Sequence, residues 1–371
     1  MSRGGAAGAD AGAGARGGVR GGVAGVRLGP VSWRLRPRPL ALVVAGLAAL
    51  AVAGGVAVGL GDVPIGLGRV FEVLLGGGTH GQRFIVLDLR LPRVLTGVCV
   101  GAAFGIAGAV FQSIARNPLA SPDVLGISGG AAVGAVLLIT FAGSFGAVGG
   151  AAASVGVPLA ALGGGLVAGL LVHGLAWRRG IEGFRLVLVG IGVAAVAVNA
   201  TNYLLTVGDV NDAARAMAWL TGSLNGRGWE HVVPVAAALA VLLPVALVAS
   251  RSLGALQLDD DTVRGLGVRL DRARGGLLLL AVVLASVATA AAGPVAFVAL
   301  VSPQVALRLA GTATPPVMGS AVVGALLVVV SDLVTRVAFG GVELPVGVVT
   351  AVLGAPYLMY LLVRGRREAR V

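Results

Sequence analysis

Apolar stretches about twenty residues long, with scarcely a charge inside them, limit this chain's folding choices more than any other feature. Residues 40–60 contain no Asp, Glu, Lys or Arg, and about 20 such residues let an α-helix cross the hydrocarbon core of a bilayer. Lipid offers no water to an unpaired peptide group, so the segment must satisfy its own backbone as a helix. Composition agrees: 57% of residues are hydrophobic and 12% charged, with a mean hydropathy of +0.96, whereas about a quarter of an ordinary soluble chain is charged. The chain reads as an all-α integral membrane protein.

With the same ruler, about ten transmembrane helices are predicted near residues 40–60, 92–113, 124–142, 147–176, 185–207, 232–250, 275–292, 294–310, 317–338 and 344–363. Pro158 falls inside the fourth and marks a kink or the point of membrane entry. The seventh and eighth are separated only by Gly293-Pro294, which reads as a tight turn between antiparallel neighbours. Small residues such as Gly97, Gly101 and Gly105 let helices approach closely. Residues 1–38 are Gly, Ala and Arg with almost nothing to bury, and read as a disordered basic cytoplasmic tail. The transmembrane domain then occupies 39–364 and a short C-terminal tail 365–371.

The net charge of +12 comes entirely from arginine, since the chain has no lysine. Most arginines fall in the tail and in alternate connections, including Arg116, Arg178, Arg179, Arg264, Arg269, Arg272 and Arg274. The opposite side keeps Arg69, Arg83, Arg90, Arg93, Arg215, Arg227 and Arg336. Cytoplasmic loops carry the cationic excess, so both termini are predicted to be cytoplasmic, and the charge serves orientation rather than nucleic-acid binding. A phosphate-binding loop of the Walker type needs its lysine, so ATP hydrolysis in that manner is excluded. One cysteine, Cys99, and three scattered histidines offer neither a disulfide framework nor a metal motif.

Polar residues break the apolar pattern in four places. The internal loop 251–274 holds Asp259-Asp260-Asp261 followed by Thr262 to Val268, a short helix with an acidic start and a glycine stop. It is either a solvated linker or, given Val263, Leu266 and Val268, a docking element for a cytoplasmic partner. At the end of the second span, Asn117-Pro118 stops the helix and, with Gln112, brings hydrogen-bonding groups to the inner leaflet; capping and cross-linking of helices is the simplest role. Asp332 and Arg336, four residues apart in the ninth span, are placed to form an ion pair, with contact to an external partner as the alternative for Arg336. The outer loop 207–231 holds Trp219 and Trp229, which read as interfacial anchors, and has room for a short surface helix. No carboxylate is predicted at a span centre, which argues against proton coupling.

These residues together resemble a family. Arg90-Leu-Pro-Arg93, Phe111-Gln112, Asn117-Pro-Leu-Ala-x-Pro122, Leu125-Gly126-Ile-Ser128-Gly-Gly-Ala131, Trp219-Leu-Thr-Gly-Ser223, Gly265-Leu-Gly267, Gly293-Pro-Val-Ala-Phe297, Leu300-Val-Ser-Pro303, Asp332-x-x-x-Arg336 and the run from Glu343 to Pro356 are similar to the FecCD-type permease subunits of bacterial ABC importers. The resemblance covers roughly residues 40–363. It implies a type II ABC importer permease architecture and transport of a ferric siderophore, with cobalamin or haem as alternatives; an ion-coupled secondary transporter is a distant third. It further implies two ATP-binding cassette subunits that use the ATP, a second permease subunit, identical or sister, and an extracytoplasmic substrate-binding protein, all at the bacterial cytoplasmic membrane. No cofactor or metal is expected on this chain. By resemblance, Arg264, Gly265, Leu266 and Gly267 form the ATPase-coupling loop, and Asn117 and Leu119 belong to the cytoplasmic gate. Arg336 and Arg83 are the candidates for docking the binding protein. Val263 stands where the family favours a smaller residue.

Overall fold

The computed structural model describes residues 24–28, 31–35, 37–61, 63–141, 151–177, 182–256, 263, 270–339 and 343–368. Its long helices are α1 (Pro37–Gly59), α4 (Leu91–Ala115), α5 (Ile127–Phe141), α6 (Ala151–Ala176), α7 (Gly183–Val207), α9 (Trp229–Ala255), α10 (Leu270–Ala292), α11 (Val298–Ala310), α12 (Val317–Val337) and α13 (Val346–Glu368). Each of the ten predicted spans lies on one of them. Shorter helices α2 (Leu67–Leu74), α3 (His80–Arg83) and α8 (Val210–Leu220) lie between, and a π-helical turn, Phe84–Arg90, joins α3 to α4. That makes His80–Ala115 one continuous helix, well beyond the 92–113 expected. Within the segment expected to be disordered, Ala24–Leu28 and Val31–Leu35 pair as an antiparallel hairpin. By sequence Gly29-Pro30 is a turn dipeptide; it and residues 1–23 lie outside the described residues. The final helix runs past residue 365 to Glu368.

Among the described residues seven helices are long and apolar enough to cross a membrane, and Ile127–Phe141, Val298–Ala310 and Val346–Tyr360 are shorter. Helix α11, at 13 residues, spans about 20 Å at 1.5 Å per residue, against about 30 Å for the hydrocarbon core. The reading of 294–310 as a full span is therefore corrected. So is the antiparallel pair: α11 packs on α4, α12 and α1 rather than along α10. The physical cause lies between Gly293 and Phe297, both at positive φ (77° and 66°), where the chain makes a broad corner instead of a two-residue turn. Helix α5 likewise starts at Ile127 rather than 124, after an irregular segment.

The core centres on α4, which packs against α12, α10, α11 and α9 and is buried from Val100 to Ala115 without interruption. Lipid is as apolar as leucine, so close van der Waals contact must replace the hydrophobic effect as the force between helices. Gly101 provides it: a Cβ there would collide with the backbone of Gly324 and lie 2.7 Å from Ala325 Cα, and Gly324 faces Gly101 in return. Gly105 meets Ser320 one turn further on. The α5–α6 pair repeats the device with Gly130 and Gly164.

Gly101→Leu should force α4 from α12 and cost about 1–3 kcal/mol, seen as a lower melting temperature in lipid-detergent micelles. Gly163→Leu, whose added side chain starts in open space, should leave the melting temperature unchanged.

Candidate functional site

The polar residues gather at the two ends of the bundle and at one level between them. At the arginine-poor end, Arg93 sits in the first turn of α4, held there by the continuous helix below it. Its Nε and Nη2 donate to Asp332 Oδ1 at 3.1 and 2.9 Å, and its Nη1 donates to the two Glu343 oxygens at 3.3 and 3.2 Å. Arg336 Nη2 lies 3.2 Å from Asp332 Oδ2, so the expected Asp332–Arg336 pair is present with both side chains under a tenth exposed. One buried carboxylate thus serves two guanidiniums, and the second acid, Glu343, is 40% exposed. Arg336 and a third arginine, Arg90, also cap α1, whose last carbonyls have no helical partners. Arg90 Nη1 donates to Val58 O and Gly59 O at 2.9 and 3.1 Å, and Arg336 Nη1 to Ala57 O at 3.1 Å.

A cavity of about 480 Å³ opens over this cluster, lined by Asp88, Arg90, Arg93, Arg227, Arg336 and Glu343 among others. At its rim, Arg227 Nη1 donates to His231 Nε2 at 2.8 Å, which leaves the imidazole proton on Nδ1, 3.1 Å from Glu230 Oε1. Burial pulls the Arg227 guanidinium below its usual range, with Glu230 opposing. Trp229 donates its indole N–H to Leu87 O at 3.1 Å, tying α9 to the π-helical turn. Arg83 is exposed at the same end. Arg336 is less so: its side chain is 7% exposed and bonded into the cluster, and it also lines the cavity that opens over it.

At the arginine-rich end, α4 stops at Arg116, a non-glycine residue at φ 48°, whose Nε donates to Leu256 O at 2.8 Å. Asn117 Oδ1 accepts from Leu119 N at 2.9 Å, closing an Asx turn, so Asn117 shapes its own hinge. Gln112 does cross-link helices, donating to Leu300 O at 3.0 Å and accepting from Gln304 at 2.7 Å. The loop residues Arg264, Gly265, Leu266 and Gly267 lie outside the described residues. Val263, expected on the docking face, is instead fully buried in the main core with Leu253 and Leu256, because a β-branched apolar residue at the bundle end is drawn inward.

Between the ends lies the one residue most plainly missed. Asp123 belongs to the connection before α5, where Leu125 packs on Gly190 and Gly126 on Ala194, near the middle of α7. A carboxylate therefore belongs to a segment packed along α7, where the sequence reads only a loop. Only its neighbours' glycines hinted at this, because the segment 117–126 reads as a loop. The motif alone assigns Arg93 no role; a charge one residue past Pro92 inside an apolar run is the available sign that it needs a buried partner.

The sequence profile of the FecCD transport family matches residues 47–364. This chain belongs to the FecCD transport family. It is 40% identical to the ferric enterobactin transport system permease protein FepG of Escherichia coli K12, over 91% of this chain and 99% of that protein. It is 39% identical to the probable siderophore transport system permease protein YfhA of Bacillus subtilis 168, over 88% and 95%. A solved chain described as a metal-chelate type ABC transporter in an inward-facing conformation superposes with a TM-score of 0.76 over 87% of this chain and 99% of that one, at 24% identity, and shares the fold. The ion cluster, the interrupted helices and the glycine crossings are thus features of a FecCD transport subunit and multi-pass membrane protein.

Removing a partner from a buried ion pair costs about 3–5 kcal/mol. Asp332→Asn should therefore lower the melting temperature far more than Glu343→Gln, whose carboxylate is partly solvated.

Proposed function

We propose that the chain is the permease subunit through which a ferric siderophore crosses the bacterial cytoplasmic membrane, with both termini cytoplasmic. The observation that carries the substrate class is the near full-length match, at 40% identity, to a permease named for ferric enterobactin transport. Two ATP-binding cassette subunits supply the energy, since this chain has no lysine for a Walker loop. A second permease copy or sister subunit completes the pathway, and an extracytoplasmic binding protein delivers the chelate.

The mechanism asks no chemistry of the substrate. Nucleotide-driven movement of the ATPases biases the cytoplasmic loops, and rigid helices carry that bias to the gates. Arg264, Gly265, Leu266 and Gly267 are the proposed contact with the ATPase. The bond from Arg116 to Leu256 O supports transmission from that loop to the gate at Asn117 and Leu119, because it joins the end of α9 to the end of α4. Arg83, exposed at the opposite end, is the docking residue for an acidic patch on the binding protein.

Three experiments test this. Co-expression with the cognate ATPase should yield a complex that accumulates radio-iron siderophore in vesicles only when ATP is supplied; uptake driven by an ion gradient without the ATPase would refute the assignment. Within that complex, Leu266→Asp should abolish uptake while insertion and ATPase basal turnover persist, and unchanged uptake removes the coupling role. Arg83→Glu should weaken binding-protein association several-fold at low ionic strength and less at high salt, where exposed charges are screened; equal affinity at low salt removes the docking role.

A further inference from the structure

Helices α6 and α10 pack together, but not along their whole length. Midway along, the seam is closed: a Cβ on Gly165 would run into Ser286, and one on Gly169 into the side chain of Val282. Toward the arginine-rich end the two helices stop filling the space between them. A Cβ on Gly275 would meet nothing nearer than His173 Cε1, at 3.7 Å. The result is a groove of about 270 Å³ with apolar sides that include Leu170, Leu279 and Val282. Leu170 and Leu279 are 60% and 53% exposed, so the groove opens outward from the bundle.

Its mouth lies where α6 finishes and α10 begins. Trp177 stands there, exposed, with its ring 5.4 Å from that of His173, and a tryptophan at a span end marks the level of the lipid headgroups. Among the described residues, the charges lining the groove are Asp271 and Arg272, at the start of α10. An apolar slot that runs inward from headgroup level, with one carboxylate and one guanidinium at its mouth, matches a lipid that carries one ammonium and one phosphate.

We propose that this groove binds a phospholipid with a phosphoethanolamine headgroup, an acyl chain lying between α6 and α10, the phosphate on Arg272 and the ammonium on Asp271. A guanidinium takes phosphate through charge-assisted hydrogen bonds. A primary ammonium donates hydrogen bonds to a carboxylate, which a choline cannot do. An anionic headgroup without an amine would set a second negative charge beside Asp271. The seated chain supplies the van der Waals contact that glycine withholds at this end of the seam. The site requires only that the bundle spans a bilayer, whichever chelate is carried.

Trp177 is its own reporter. The chain is reconstituted in phosphatidylcholine nanodiscs in which a fixed minor fraction of the lipid carries bromines on its acyl chain. Quenching of Trp177 is read as the difference between the chain and its Trp177→Phe variant. Brominated phosphatidylethanolamine should quench Trp177 at least two-fold more than the same fraction of brominated phosphatidylcholine or phosphatidylglycerol. Gly275→Leu, which fills the groove, should abolish the excess, and Gly276→Leu, whose added side chain starts in open space, should keep it. Arg272→Ala and Asp271→Asn should each bring the ethanolamine lipid down to the choline level, and they decide the question if Gly275→Leu fails to insert. Equal quenching by the three lipids, stronger quenching by the choline or glycerol lipid, or an excess that survives Arg272→Ala and Asp271→Asn overturns the site. So does an excess that vanishes when the ATPase is added, which makes the groove a protein contact.

Discussion

The contact on which the rest of this structure depends is the one between α4 and α12, where two backbones touch at Gly101 and Gly324. In a membrane the solvent is apolar, so burying a leucine gains little, and helices associate through dispersion over surfaces that fit closely. Glycine on both sides removes the atoms that would hold the axes apart. With α4 fixed against α12, helices α9, α10 and α11 have a common surface to pack on, and the buried run from Val100 to Ala115 becomes the spine of the subunit.

The ion cluster completes that seam at its arginine-poor end. Arg93 on α4 and Asp332 on α12 join the two helices that the glycines bring together, and Glu343 brings in the chain leading to α13. A charge at this depth is costly unless partnered. Here Asp332 has two cationic partners, and Arg336 also contacts the carbonyl end of α1. One of the two side chains that neutralise the acid, Arg336, therefore also caps a helix that presents most of its surface outward. Packing and electrostatics select the same register.

What was legible in the sequence follows from the range of each force. Hydropathy acts over a whole span, so every predicted span fell on a helix, and the small-residue crossings at Gly101 and Gly105 could be read from residue size alone. The Asp332–Arg336 pair was legible because four residues on a helix share a face. Long-range partners were not: Arg93 lies far along the chain from Asp332, and nothing local announces the meeting. Depth was equally hidden. Asp123 reads as part of a polar loop, and only the packing of Leu125 and Gly126 shows that its segment lies along α7. The π-helical turn was invisible for a different reason, since its residues, Phe84 to Arg90, carry the same apolar signal as an α-helix.

Arg116 and Phe297 turn the chain in a conformation that costs a side-chain-bearing residue about 1–2 kcal/mol. Glycine would make the same corners freely, and the chain, with 62 glycines, does not lack them elsewhere. A glycine corner, however, is a loose joint with many neighbouring conformations of similar energy. A residue with a β-carbon has few, and once tertiary bonds hold it there it behaves as a stiff elbow. Each of the two interrupted stretches therefore joins one stiff corner, Arg116 or Phe297, to one glycine at positive φ, Gly126 or Gly293, and any yielding is confined to the glycine end.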